Sequence, residues 1–308
     1  MRASGWTADF HEVQAVGARW PRWAKVLVAP VRLALAIPLV MKLRGTQYDV
    51  VHVHFLSQGF LGAFSGHPYV LHAHGSDLHA NFKNPLYRAW TSLWMKRAKR
   101  IIYVTPNLAA YLGDYAGKSE LVPNPIDVTR FAGLDLPAHL ARALVFMRLE
   151  PVKGPQLVFD AAGEIAARVT LSAVAWGPLA PAYREKYGQT VKFVEPVAHE
   201  KVPDLLAGAD AVIGQMRQGV PGLSELEALA AGRVVLMHLD LSLYPADRPP
   251  VVDVASGHEI AEAIARLQED PQELARMSGA GREWVRAHHS PEAHVDALKD
   301  VYAAVMRR

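Results

Sequence analysis

Four short stretches of this sequence carry side chains suited to holding a charged ligand. His74-Gly75-Ser76-Asp77 sets an imidazole beside a glycine, so a ring nitrogen can bond a ligand that the backbone approaches closely, and Asp77 is expected to cap the next helix. An ordinary turn with a hydrogen-bonded histidine fits the same residues. Arg148-Leu149-Glu150-Pro151-Val152-Lys153-Gly154 places a guanidinium and an ammonium around the start of a helix. Backbone N–H groups there complete a cradle for a diphosphate, and a solvated basic loop is the alternative for the segment taken alone. Trp176-Gly177-Pro178 suits either close approach of a flat base or a tight turn. Glu225 and Glu227 lie in a helix that ends at Gly232, and its first amides, from Gly222 through Leu223 to Ser224, add to the anion site. Adjacent helical side chains diverge by about 100°, so one of the two carboxylates is expected to face solvent and the other a cleft.

Other chemistries are narrowed by composition. The chain has no cysteine, so thiolate zinc sites, disulfides and thiol nucleophiles are excluded, and a reducing cytoplasm fits. His52 and His54 share one face of a strand, as do His72 and His74, and neighbouring strands would bring the four imidazoles together as a metal site. No carboxylate ligand set follows downstream. A metal-dependent hydrolase is the reading that cluster would imply, and no metal is assigned to the site. The net charge of +3 is spread along the chain, which gives no nucleic-acid footprint.

Elements that would position these residues alternate along the chain. Strands are expected at 49–54, 69–72, 100–104 and 119–122, with helices at 85–97 and 106–115 between them. The periodicity lapses near Asn124-Pro125 and Leu134-Asp135-Leu136-Pro137, which puts a domain boundary at 134. A second series follows, with strands at 143–147, 169–174, 191–194, 211–214 and 234–238 and helices at 156–167, 200–207 and 223–231. Residues 291–306 read as a separate amphipathic helix. The pattern is α/β, with two parallel-sheet domains whose ligands bind beyond the carboxyl ends of the strands. One stretch departs from it: Arg19, Trp20, Arg22, Trp23 and Lys25 precede an apolar run, Val26 to Met41, broken by Pro30, Arg32 and Pro38. It is too short to span a bilayer, and 19–44 reads as either a buried or groove-lining helix or one at a membrane surface. No signal peptide is expected, because the apolar run starts far from Met1.

Taken in order, these pieces resemble the family-4 retaining glycosyltransferases of the GT-B fold, also called group 1. The resemblance rests on Asp49-Val50-Val51-His52-Val53-His54, His74 to Asp77, Val122-Pro123-Asn124-Pro125-Ile126-Asp127 with Phe131, Arg148 to Gly154, Trp176-Gly177-Pro178, and Glu227 to Gly232 followed by Val234-Val235. It implies two Rossmann-like domains facing across a cleft: 1–134 on the acceptor side, 135–290 for the nucleotide sugar, and 291–308 as a helix packing back on the first. It also implies transfer of a sugar from a nucleoside diphosphate to an acceptor hydroxyl, with retention and no obligatory cofactor. Arg148 and Lys153 would neutralise the diphosphate, His74 would position the sugar, and Glu227 would hold the ribose hydroxyls, since a carboxylate accepts from both members of a diol.

Two departures qualify the resemblance. Where the family pattern has a sugar-contacting glutamate eight positions before Glu227, this chain has Gly219, and Gln215 is the expected substitute. The family's opening strand and glycine-rich loop have no match in the 48 residues before Asp49, so a shortened acceptor domain is expected. The alternative function is a non-catalytic nucleotide-sugar-binding partner of an active transferase. Base, sugar and acceptor, whether glycan, lipid-linked or small molecule, carry no sequence signature.

Overall fold

The computed structural model describes residues 6–13 and 28–307. The Trp-rich start of the basic stretch, 19–27, lies outside them. The chain divides into two compact units, Met1–Val122 with Val295–Arg308, and Pro123–His294.

In the first unit α1 (Val28–Gly45) precedes β1 (Val51–His54), α2 (Gly59–Ser65), β2 (Tyr69–Ala73), α3 (Pro85–Arg97), β3 (Arg100–Tyr103) and β4 (Ser119–Leu121). The strands form a parallel sheet in the order β1-β2-β3-β4. Alternation along each strand divides the side chains between two layers. Val53, Leu71 and Ile101 pack with Phe60, Leu61 and Trp94 on one face, while Val70 and Ile102 on the other meet Leu298, Val301, Tyr302 and Val305. The latter four come from α11 (Pro291–Met306), defined below, whose apolar positions recur at helical spacing. Helix α1 joins the first layer through Ala36 and Leu39 but leaves Leu35, Ile37 and Met41 exposed. Among the described residues no helix is long and apolar enough to cross a membrane.

The second unit runs β5 (Arg142–Val145), α4 (Pro155–Phe159), α5 (Ala162–Ala166), β6 (Thr170–Val174), α6 (Ala180–Tyr187), β7 (Lys192–Val194), α7 (Val202–Ala207), β8 (Ala211–Ile213), α8 (Leu223–Ala230), β9 (Val234–Met237), β10 (Val252–Asp253), α9 (Gly257–Glu269) and α10 (Pro271–His289) before α11. Its parallel sheet has the order β10-β9-β8-β5-β6-β7. The chain therefore starts at the centre, winds outward through β6 and β7, and returns to the other side of β5 at β8. That reversal is a topological switch point, where the loops leaving β5 and β8 separate and open a crevice beyond the strand ends. Ile126 and Phe131, expected in the first domain, are core residues of this unit.

Several elements differ from expectation. Residues 106–115 do not form one helix but two 3-10 segments, Pro106–Tyr111 and Gly113–Lys118; Leu108 is buried in the first and Leu112 between the two, and Gly113 lowers the helical preference there. Residues 156–167 break into α4 and α5 around Asp160. Strand β10 has only two residues, too few to leave a pattern.

Candidate donor and sugar site

Arg148 and Lys153 lie in the segment that follows β5 at the switch point. The loop is held open by its own turns: Glu150 N–H donates to Arg148 O (2.8 Å) and Lys153 N–H to Glu150 O (3.0 Å). Arg148 is more than half exposed, with Nε 3.7 Å from Glu150 Oε2, which leaves the guanidinium able to swing onto an anion. Lys153 is fixed instead, Nζ donating to Gln218 Oε1 at 2.7 Å. A Cβ built on Gly222 would sit 3.7 Å from that Nζ, so the ammonium stands at the N-terminus of α8. A fixed cation and the positive end of a helix thus coincide, the combination that favours a phosphate oxygen.

Two buried residues build this corner. Glu225, 2 % exposed, accepts from Gln215 N–H (2.8 Å) through Oε1 and from Gly222 N–H (2.9 Å) through Oε2, clamping the loop after β8 to the start of α8. Gln215, fully buried, donates to Val220 O (2.8 Å) and His238 O (3.3 Å) and accepts from the N–H groups of Arg217 (3.0 Å) and Gln218 (2.5 Å). Both amide hydrogens and both lone pairs are engaged, so the side chain expected to replace a sugar-contacting glutamate works on the loop instead. The expectation that one of Glu225 and Glu227 faces solvent fails: both are buried, because Glu225 turns back to cap its own helix. Leu223 is half exposed and Ser224 half-buried at the helix start.

Gly177 follows β6 with φ 102°, a conformation in the left-handed half of backbone space. A Cβ there would lie 2.7 Å from Leu149 O, 2.8 Å from Leu149 N and 3.0 Å from Arg148 Cγ. This absence of a side chain lets Leu149 N–H reach Trp176 O (2.8 Å) and joins the Arg148 loop to the 176–178 loop. Trp176 itself is tied back, Nε1 donating to Met147 O at 2.8 Å.

Glu227, 9 % exposed, sits one turn into α8, its Oε1 2.8 Å from Nε2 of the exposed His199. Arg130 donates to the His199 carbonyl and lies within 3.1 Å of both ring nitrogens. Neither His199 nor Arg130 has a sequence signal, since only the fold brings residues 28 and 69 positions apart together. Glu225 did have one, its spacing of three from the helix cap.

His74 lies in the first unit, just past β2. Its N–H donates to Asp77 Oδ2 (3.0 Å), and Tyr87 Oη–H donates to Asp77 Oδ1 (2.7 Å). Asp77 therefore does not cap the following turn, a π-helical one over Ser76–Ala80, but closes the loop onto His74. Burial pushes the His74 imidazole below its ordinary value and the Asp77 carboxyl above its own. Phe55, at the end of β1, has φ 68°, a cost of about 1–3 kcal/mol for a residue with a side chain, and its ring centroid is 4.7 Å from that of His74.

Comparison with known proteins agrees with this architecture. The Glycosyltransferase Family 4 model matches residues 3–130, and a Glycosyl transferase-like model matches residues 149–300. No curated sequence matches the chain significantly. Among solved structures, sucrose-phosphate synthase from Thermosynechococcus elongatus superposes with TM-score 0.73 at 20 % identity, covering 95 % of this chain and 82 % of that one. HepE from Anabaena, in complex with UDP, gives 0.72 at 17 % identity over 88 % and 82 %. Its complex with UDP-glucose gives 0.68 at 18 % over 88 % and 81 %. At these identities the likeness shows the fold.

Proposed function

We propose that this chain, a family-4-like glycosyltransferase of the GT-B fold, moves a sugar from a nucleoside diphosphate to an acceptor hydroxyl with retention of configuration. The observation that carries the reading is the meeting of the Lys153 ammonium with the N-terminus of α8 at the switch point of the second sheet. A departing nucleoside diphosphate gains negative charge as the glycosidic bond breaks, and preorganised cations and amides lower that barrier. Lys153 and the amides from Gly222 to Ser224 take the static part of this role, while the exposed Arg148 closes on the diphosphate. Glu227 takes the ribose diol, exchanging His199 for the two hydroxyls. His74, kept neutral by burial, positions the sugar as donor or acceptor of a hydrogen bond.

The UDP and UDP-glucose bound to HepE support a nucleotide sugar as donor here. Helix α1, with Leu35, Ile37 and Met41 exposed and Lys42 and Arg44 in its last turn, supports peripheral contact with the cytoplasmic face of a membrane. The acceptor then comes from glycans, lipid-linked sugars or small molecules within reach of that surface.

The test is hydrolysis of UDP-, GDP- and ADP-sugars in the absence of acceptor. The wild type should release sugar from one of them, with the released anomer, followed by NMR, matching the donor's. Arg148→Ala and Lys153→Ala should each abolish turnover while preserving the circular dichroism spectrum. Wild-type rates in both variants would refute the phosphate site.

A further inference from the structure

β1 and β2 pair with His54 opposite His72 and His52 opposite Val70. Because strand side chains alternate, His52, His54 and His72 project from the face that carries Val70 and Ile102, the face on which α11 packs. One ring nitrogen from each of His52, His54 and His72 lies within 4.8 Å of those of the other two. The closest pair is His52 Nε2 and His72 Nδ1, at 3.1 Å. Two imidazole nitrogens at that separation cannot both carry protons, nor can both present bare lone pairs; a proton or a cation stands between them. His54 stacks on His52 at 4.7 Å and on His72 at 4.8 Å, so its ring must turn for the three in-plane lone pairs to converge on one ion. The cluster is therefore a concentration of imidazole nitrogens. In a tetrahedral site with metal–nitrogen bonds of about 2.0–2.1 Å the nitrogens are roughly 3.3–3.4 Å apart, near the observed His52–His72 contact.

We propose that His52, His54 and His72 form a binding site for a divalent transition-metal ion, with Tyr302 and His74 as the groups that orient the ligating rings. Tyr302 Oη lies 2.5 Å from His52 Nδ1, and His74 Nε2 lies 3.2 Å from His54 Nδ1. Each engages the Nδ1 edge, the outer-partner arrangement that fixes the tautomer of a histidine ligand. An all-imidazole set without carboxylates selects zinc, copper or nickel over magnesium or calcium. His54 is exposed and His72 buried, so an ion would enter from the solvent side and bind β1 to β2. Since Tyr302 belongs to α11, it would also tie that helix to the sheet. All of these residues belong to the first unit, whereas Arg148, Lys153 and Glu227 belong to the second, and His74 is the one residue shared with the proposed sugar site.

Chelator-treated protein titrated with Zn²⁺ against a chromophoric competitor, and with Co²⁺ by visible absorption, tests this. One equivalent should bind at micromolar or tighter affinity, and Zn²⁺ should raise the thermal midpoint. His54→Ala and His72→Gln should weaken binding at least a hundredfold, Tyr302→Phe about tenfold, and the surface control His258→Ala not at all. Thermal transitions in EDTA establish that each variant folds; if His72→Gln does not, the exposed His54→Ala decides alone. Absence of stoichiometric Zn²⁺ uptake by the wild type, or wild-type affinity in His54→Ala, would overturn the site.

Discussion

Glu227 and His199 are bonded in the structure, yet their roles are opposed. To take the ribose diol as proposed, the carboxylate must exchange an imidazole for two hydroxyls, so on that proposal the His199 contact at 2.8 Å competes with nucleotide binding rather than assisting it. Glu227→Gln should weaken nucleoside diphosphate binding about tenfold or more, because an amide oxygen accepts less strongly than a carboxylate. His199→Ala should leave affinity unchanged or raise it a few fold, and isothermal titration with UDP, GDP and ADP distinguishes the two effects. A loss in His199→Ala equal to that in Glu227→Gln would show instead that the imidazole is part of the binding surface. Gly177→Ala is the sharpest geometric probe at this scale. The new methyl group would meet the Leu149 backbone at 2.7 Å in a conformation already unfavourable for a side chain, so we expect a cost of about 2 kcal/mol or more and displacement of Arg148. Chemical denaturation read beside donor turnover checks both.

Among elements, the start of α8 depends on Glu225 as its organiser. Glu225→Ala strands the N–H groups of Gln215 and Gly222, which should cost about 2–3 kcal/mol and lower diphosphate affinity as well. Glu225→Gln retains one acceptor and should lose about half as much. The end of α10 carries a different dependence. His289 Nδ1–H donates to Asn124 O (2.9 Å) and His294 Nδ1–H to Pro123 O (2.8 Å), joining the segment after β4 to the start of α11. Burial, the largest influence on both, holds their imidazoles below the ordinary value, against the raising effect of the backbone acceptors. As pH falls through about 6.5 the unfolded chain takes up these protons before the folded one does, so stability is full above that pH and declines below it. Urea midpoints at pH 7.5 and 5.5 should diverge in the wild type and draw closer in His289→Asn, which keeps the donor without the titration. Equal slopes in the two proteins would contradict the assignment. These elements also mark how far sequence pattern reaches. The strand at 100–103, the helices at 85–97 and 291–306 and the Arg148–Lys153 loop were readable because period and punctuation are local. Partnerships were not: Gln215 turns onto its own loop, and the pairs Lys153–Gln218 and Glu227–His199 arise only when the fold brings distant loops together beyond the strand ends.

For the whole molecule, the two units supply different chemistry. The first brings the imidazoles of His52, His54 and His72 together on β1 and β2, and the second sets Lys153 beside the start of α8. The account rests on the second: a nucleoside diphosphate held by Arg148, Lys153 and the start of α8. The direct measurement is the thermal midpoint of the wild type, Arg148→Ala and Lys153→Ala with and without UDP, GDP or ADP. A ligand present at a hundred times its dissociation constant stabilises the native state by about 2.7 kcal/mol, which for a unit of this size is a rise of roughly 5–10 °C. We predict such a rise for one of the three nucleotides in the wild type and its loss in both variants. No rise with any of them, or an equal rise in all three proteins, would contradict the diphosphate site and with it the assigned transfer.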